Sequence, residues 1–224
     1  MIYNGQPVGT APNISDFQVE SQITVLNQDY RRIVGTPGEN TNAVGADTEI
    51  QFVLAKQDPA GNPTNGIDRR SFCQDSWSNS TIESTLKPAT IWDPTQYLNL
   101  WSVQLEDPDL LGYAQFPDGS GLSGLGSTGG AANTDGVVVR YNSFGSGSGA
   151  NYILKFPYNN GRTMTHEVGH WLGLIHIWGD GSNCSTNTDF CGDTPVAKDP
   201  NYGCPTGILG AKKAKEYFKE NYKN

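Results

Sequence analysis

At 224 residues the chain is long enough for one good hydrophobic core and short for two, so a single domain is expected. A net charge of −8 argues against a nucleic-acid surface and suits cation binding, and no apolar run approaches the length of a membrane span. The charge is uneven: residues 211–224 carry five lysines against two glutamates, so the tail is a different kind of sequence from the acidic remainder.

In chain order, Ile2-Tyr3 followed by Asn4-Gly5 reads as the end of a strand running into a turn. No charged region followed by an apolar stretch precedes it, so no signal peptide is visible. Ser15 and Gln18 have capping-box spacing, and Val19, Ile23, Leu26, Tyr30 and Ile33 step by four and three, which predicts an amphipathic helix over 16–33. Alternation at Ile50, Phe52 and Leu54 predicts a strand, and the Pro- and Gly-rich stretch 59–66 a loop. Residues 71–96 form a mixed connection in which Trp77 and Trp92 are expected to pack in the core.

Tyr97 to Gln104 reads as a buried strand, and Leu111 to Phe116, stopped by Pro117, as a shorter one. Residues 119–135 are rich in Gly and Ser but hold neither a phosphate loop nor a dinucleotide fingerprint, which makes them a surface loop. Val137-Val138-Val139 is the last buried strand, and a helix follows over about 161–173. Beyond it, the acidic loop 180–195 offers Asp180, Asp189, Asp193 and Thr194 as hard oxygen ligands, or is simply a solvated acidic loop. The cysteines, Cys73, Cys184, Cys191 and Cys204, contain no Cys-x-x-Cys pair, so disulfides and an extracytoplasmic location are expected.

All three histidines of the chain lie within Thr165 to His176. Residues four apart share a helix face, so His166 and His170 aim at one point, while Glu167 lies beside that point without being a ligand. Gly173 tolerates positive φ, so the helix can stop there and the chain can bring His176 back as a third nitrogen, leaving a fourth position for water. Neutral imidazole suits zinc, and three such ligands leave the charge of Zn²⁺ undiluted to acidify water and polarise a carbonyl. Glu167 then has the place of a general base for amide hydrolysis. An incidental arrangement is improbable: at ordinary residue usage the five-residue match arises by chance about once in 10⁵ chains of this length.

The pattern His166-Glu167-x-x-His170-x-x-Gly173-x-x-His176 resembles that of the metzincin metalloproteases, and the fuller wording Gly161 to Leu174 is similar to the pappalysin family within that clan. Leu111 to Pro117, Asp193-Thr194-Pro195 and Tyr202-Gly203-Cys204-Pro205 agree with family wording in family order, so the resemblance runs from about residue 14 to about 206. It implies an α/β (α+β) catalytic domain, with a twisted mixed sheet carrying an antiparallel edge strand, a backing helix and an active-site helix. It further implies zinc on His166, His170 and His176, Glu167 as catalytic base, and an extended protein or peptide substrate. The substrate would be held along Gly112, Tyr113 and Ala114 by strand addition, though an ordinary edge strand reads the same way in sequence. Aligning on Asp-Thr-Pro assigns Asp189 and Thr194 to a family calcium ion (Ca²⁺).

The chain departs from the family after Pro205. The only methionines are Met1 and Met164, so no methionine turn follows the third histidine, and residues 207–224 form a lysine-rich segment with helical propensity. The family-like domain is therefore expected over 1–206, with its first strand incomplete and its C-terminal subdomain largely missing. Cysteines that would pair with Cys184 and Cys204 by family analogy lie in the missing part. Cys184 with Cys191 remains open as a local pair, leaving Cys204 for Cys73 or unpaired. Two functional readings follow: a zinc endopeptidase, or a zinc-binding but catalytically incompetent fragment or binding module.

Overall fold

Three consecutive β-branched residues, Val137, Val138 and Val139, have no polar face, and all three are fully buried at the centre of a three-stranded sheet. The computed structural model describes residues 1–43, 45–125, 129–179, 189–192, 194, 197 and 199–200. In order, its main elements are β1 (Ile2–Tyr3), α1 (Asp16–Tyr30), β2 (Arg70–Ser71), α2 (Asn79–Thr81), a π-helical turn (Ile82–Leu86), α3 (Lys87–Thr90), β3 (Leu100–Val103), β4 (Gly112–Ala114), β5 (Val137–Arg140) and α4 (Arg162–Trp171). β5 lies between β3, parallel to it, and β4, antiparallel to it, while β1 and β2 form a separate parallel pair. The fold is thus mixed α/β, with the expected antiparallel strand at a sheet edge.

Side chains alternate across β5 and divide the interior into two cores. Val137 and Val139 pack with Ile14, Val19, Leu26 and Tyr30 around α1 and with Met164 and Val168 of α4. Val138 faces the other way, towards Trp77, Ile82, Leu86, Trp101, Val103 and Leu105. Trp77 thus has the packing role expected of it.

Several sequence expectations are corrected. Ile50, Phe52 and Leu54 do pack against the α1 core, and Val53 between them is 83% exposed, but the segment joins no sheet. The side chain of Asn27 takes the place of a neighbouring strand: its Oδ1 accepts from the Phe52 N–H at 2.8 Å and its Nδ2 donates to the Phe52 carbonyl at 2.8 Å. Helix α1 stops at Tyr30 rather than 33, because Arg32 adopts positive φ and sends its guanidinium to the carbonyls of Asn40, Asn42 and Gly45. The connection 71–96 contains a helical run that no periodicity announced. Cys73 is an exposed free thiol, so the pairing that used it is not formed. Cys184, Cys204 and the lysine-rich segment lie outside the described residues.

Ser15 caps α1 as expected, accepting from the Gln18 N–H at 3.2 Å, but Gln18 does not return the bond. Its side chain is fully buried and reaches across to the loop after β5. There Nε2 donates to the carbonyls of Tyr141 (3.1 Å), Phe144 (2.8 Å) and Ile153 (3.2 Å), and Oε1 accepts from the Ile153 N–H at 2.6 Å. Gln22, one turn on, accepts from the Gly145 N–H at 2.7 Å and donates to the Gly161 carbonyl at 3.0 Å, at the start of α4. The loop between β5 and α4 is thereby fastened to the backing helix by two amides. Replacing Gln18 by Leu keeps the volume and strands these buried backbone groups at about 1–3 kcal/mol each, less what they recover by relaxation. The expected loss of unfolding free energy in urea denaturation is at least about 2 kcal/mol.

Candidate metal centre and active site

Helix α4 begins at Gly161, in the left-handed region at φ 71°, and is registered against α1 by charge. Asp29, nearly buried, pairs with Arg162 and accepts from the Thr165 hydroxyl at 2.6 Å, while the Tyr30 hydroxyl donates to the Thr165 carbonyl at 3.1 Å. These contacts fix the rotation of α4, and with it the direction in which residues 166 and 170 project.

The helix ends in a Schellman motif. Gly173 has φ 98°, its N–H bonds to the His170 carbonyl at 2.9 Å, and the Leu174 N–H bonds to the Gly169 carbonyl at 2.9 Å. That turn does two things for the histidines. It reverses the chain so that His176 returns to the helix face, and it places the Leu174 carbonyl 2.6 Å from His170 Nδ1. A carbonyl only accepts, so Nδ1 carries the proton and Nε2 is left with its lone pair.

The three Nε2 atoms meet. His170 Nε2 is 3.0 Å and His176 Nε2 is 3.3 Å from His166 Nε2, and all three ligand atoms lie within 4.8 Å of one another. A tetrahedral ion that holds nitrogens at about 2.0–2.1 Å spaces them about 3.3 Å apart, so the donor set fits such an ion in both chemistry and separation. Among the described residues this is the only cluster of His, Cys, Asp or Glu with metal-ligand spacing. The His166 imidazolium is disfavoured, with its pKa pushed down to about 4, first by desolvation and then by the two neighbouring rings. A neutral ring is the form that ligates.

Two aromatic residues that the sequence reading overlooked hold the rings. Trp178 stacks on His176, with centroids 4.2 Å apart and planes at 8°, and Phe116, just beyond β4, meets the His170 ring edge-on at 5.4 Å. The Trp178 contact was open to inference, since an aromatic residue two positions past a returning histidine is placed to cover it. At the end of α4, the Trp171 indole N–H donates to Asp135 at 2.8 Å.

Glu167 points into the protein, 8% exposed, and burial pushes its carboxyl pKa up to about 7. It packs against β4 where that strand has no side chain: a Cβ at Gly112 would lie 3.1 Å from Glu167 Cγ and 2.8 Å from the Val138 carbonyl. The β4–β5 register also settles which backbone groups β5 does not use. The Arg140 N–H bonds to the Leu111 carbonyl and the Gln115 N–H to the Gly136 carbonyl, so Tyr113 is the hydrogen-bonded partner of Val138. The N–H and C=O groups of Gly112 and Ala114 therefore point away from β5 along the outer edge, beside α4.

Asp189 and Thr194 are described, whereas Asp180 and Asp193 are not. Asp189 Oδ1 accepts from the Cys191 N–H at 3.0 Å, and the Thr194 N–H bonds to the Cys191 carbonyl at 3.2 Å. Both residues thus bond to the backbone of Cys191. No described helix is long and apolar enough to cross a membrane.

Comparison with known proteins agrees with this geometry. The peptidase M43 family, described as pregnancy-associated plasma protein-A, matches residues 81–223. An extracellular metalloprotease of Arthroderma gypseum is 31% identical over 89% of this chain and 55% of its own length, and extracellular metalloprotease 1 of Coccidioides posadasii is 32% identical over 87% and 55%. The chain therefore spans about half the length of these curated relatives. Among solved structures, mature mirolysin of Tannerella forsythia in complex with a cleaved peptide superposes with a TM-score of 0.72 at 40% identity, covering 92% of this chain and 75% of that one. Mirolysin in complex with a small compound gives 0.71 at 38% identity, with the same coverage. With its histidine cluster, its edge strand and most of its length matched, the chain belongs to the peptidase M43 family of metalloproteases, the pregnancy-associated plasma protein-A type.

Proposed function

We propose that this chain is the catalytic part of a secreted zinc-dependent endopeptidase that cleaves extended peptide segments. The observation that carries the reading is the approach of three imidazole Nε2 atoms to within 3.0–3.3 Å along pairs sharing His166, a spacing suited to one tetrahedral ion. His166, His170 and His176 would hold zinc, which when bound supplies Lewis acidity towards a carbonyl and towards water. The curated relatives are extracellular metalloproteases, and the mirolysin structure contains a cleaved peptide.

Glu167 has the protein's part in the proton chemistry. A buried carboxylate next in the chain to His166, on the helix that carries His166 and His170, is placed to accept a proton from attacking water and release it to the departing amine, which is what amide hydrolysis requires. The substrate lies antiparallel to β4, its backbone bonding to the outward N–H and C=O groups of Gly112 and Ala114, so that the scissile carbonyl is carried past the histidines. Tyr113 contributes its backbone to β5 and its side chain to the opposite face. Asp189 and Thr194 offer hard oxygens for Ca²⁺ in the loop that follows.

Three measurements test this. Purified protein is expected to contain one zinc per chain by elemental analysis, and the double replacement of His166 and His170 by Ala is expected to abolish it. A protein without stoichiometric zinc, or a double variant that keeps it, overturns the assignment. Glu167→Ala is expected to keep its zinc and to lose 10²–10⁴-fold in peptide hydrolysis, by roughly the contribution of a general base; retention of more than about a tenth of wild-type turnover contradicts the role. For calcium, millimolar Ca²⁺ is expected to raise the melting temperature of wild type and not of Asp189→Ala, and equal shifts in the two exclude a site there.

A further inference from the structure

Beneath β4, on the face of the sheet away from the histidines, lies a lysine that the chemistry above does not use. Lys87 is 1% exposed, and its ammonium group is held 2.7 Å from Glu83 Oε1 and 3.0 Å from the Thr134 carbonyl. Two rings enclose it: the centroid of Tyr113 is 5.0 Å from Nζ and that of Trp101 is 5.4 Å away. The Tyr113 hydroxyl donates to the same Glu83 oxygen at 2.8 Å, which closes the cluster.

A buried cation is costly unless it is paired and hydrogen-bonded, and replacing such a pair by apolar residues is often neutral for stability. Bulk stability is therefore a poor account of this cluster. Its connections are more specific. Tyr113 is the central residue of β4. Thr134, whose carbonyl Lys87 binds, donates its hydroxyl to Gln115 Oε1 at 2.7 Å at the end of β4. Asp135, next in the chain, takes the indole N–H of Trp171 at the end of α4. One ammonium group thus fastens the middle of the edge strand, the turn before β5 and, through that turn, the end of the helix bearing His166 and His170. A three-residue strand at a sheet edge has few hydrogen bonds of its own to hold its position.

We propose that Lys87, with Glu83 and Tyr113, is a positioning device for β4, which sets affinity for extended peptides by holding the backbone groups of Gly112 and Ala114 that point away from β5 in register with α4. The inference rests on the reading of β4 as the substrate strand. Lys87 touches no reacting atom, so its loss weakens binding felt equally before and at the transition state, which raises KM and leaves kcat alone.

The test compares zinc-loaded wild type, Lys87→Met and Tyr113→Phe on a fluorogenic decapeptide that wild type cleaves, and follows amide hydrogen exchange across residues 110–116 without substrate. Lys87→Met is expected to raise KM about tenfold with kcat within about twofold and zinc content unchanged, and to speed exchange across β4 about tenfold. Tyr113→Phe, which removes one hydroxyl, is expected to raise KM about threefold. An unchanged KM, or a fall in kcat at constant KM, overturns the proposal. Should Lys87→Met fail to fold, Tyr113→Phe decides alone. Should wild type cleave no peptide, the endopeptidase reading fails by itself, and exchange across β4 that does not respond to either substitution then overturns the positioning role separately.

Discussion

The convergence of three imidazole Nε2 atoms, with those of His170 and His176 at 3.0 and 3.3 Å from that of His166, is the constraint on which the rest of this structure depends. Such a convergence has to be imposed by elements that are rigid for other reasons. Two of the rings come from one helix, so their relative placement follows from α-helical geometry. The third must be returned by a turn of fixed shape. Gly173 at φ 98° makes that turn, and the Leu174 carbonyl it positions then selects the His170 tautomer that leaves Nε2 free to ligate. Reversal and tautomer are one device, which is why a single glycine matters to two histidines.

The helix that carries the rings is itself held from one side by α1. Asp29, Tyr30 and Gln22 reach its first turn or the residue before it, and Gln18 fastens the loop that leads there. On its other side α4 meets β4 at Gly112, where the absence of a side chain lets Glu167 lie close against the strand. The same close approach sets Gly112 and Ala114 alongside α4, the helix that carries His166 and His170. The alignment proposed for the substrate and the burial that raises the pKa of Glu167 thus share one structural basis, the packing of Gly112 and Ala114 directly on α4.

The sheet separates an apolar core between strands and helices from a second core that contains one full charge. Val138 and Trp101 pack there beside Lys87, whose partners are all accounted for by Glu83, Thr134 and two aromatic faces. The side-chain alternation of β4 explains why a residue so far from the histidines can bear on them. Gly112 and Ala114 face the helix side, and Tyr113 faces the charge, so a force on the Tyr113 side chain moves the backbone groups on either side of it.

The sequence alone determined that His166, His170 and His176 converge with Glu167 beside them, that a strand lies within 111–116 and that a helix lies within 161–173, because each of these rests on short-range spacing: four residues for one helix face, a glycine for a turn, a proline for a strand end. The inward face made by Ile50, Phe52 and Leu54, each partly buried, was legible for the same reason. Whether that segment pairs in a sheet was not, because Asn27, distant in sequence, supplies its hydrogen bonds. Gln18 shows the same limit, since spacing marked it for a cap and the fold uses it to hold a loop more than 120 residues away. The Lys87 cluster and the aromatic partners of His170 and His176 belong wholly to the tertiary structure: a helical Lys-Glu pair reads as a solvated face in sequence, and only the packing of the sheet over it decides that the charge is buried.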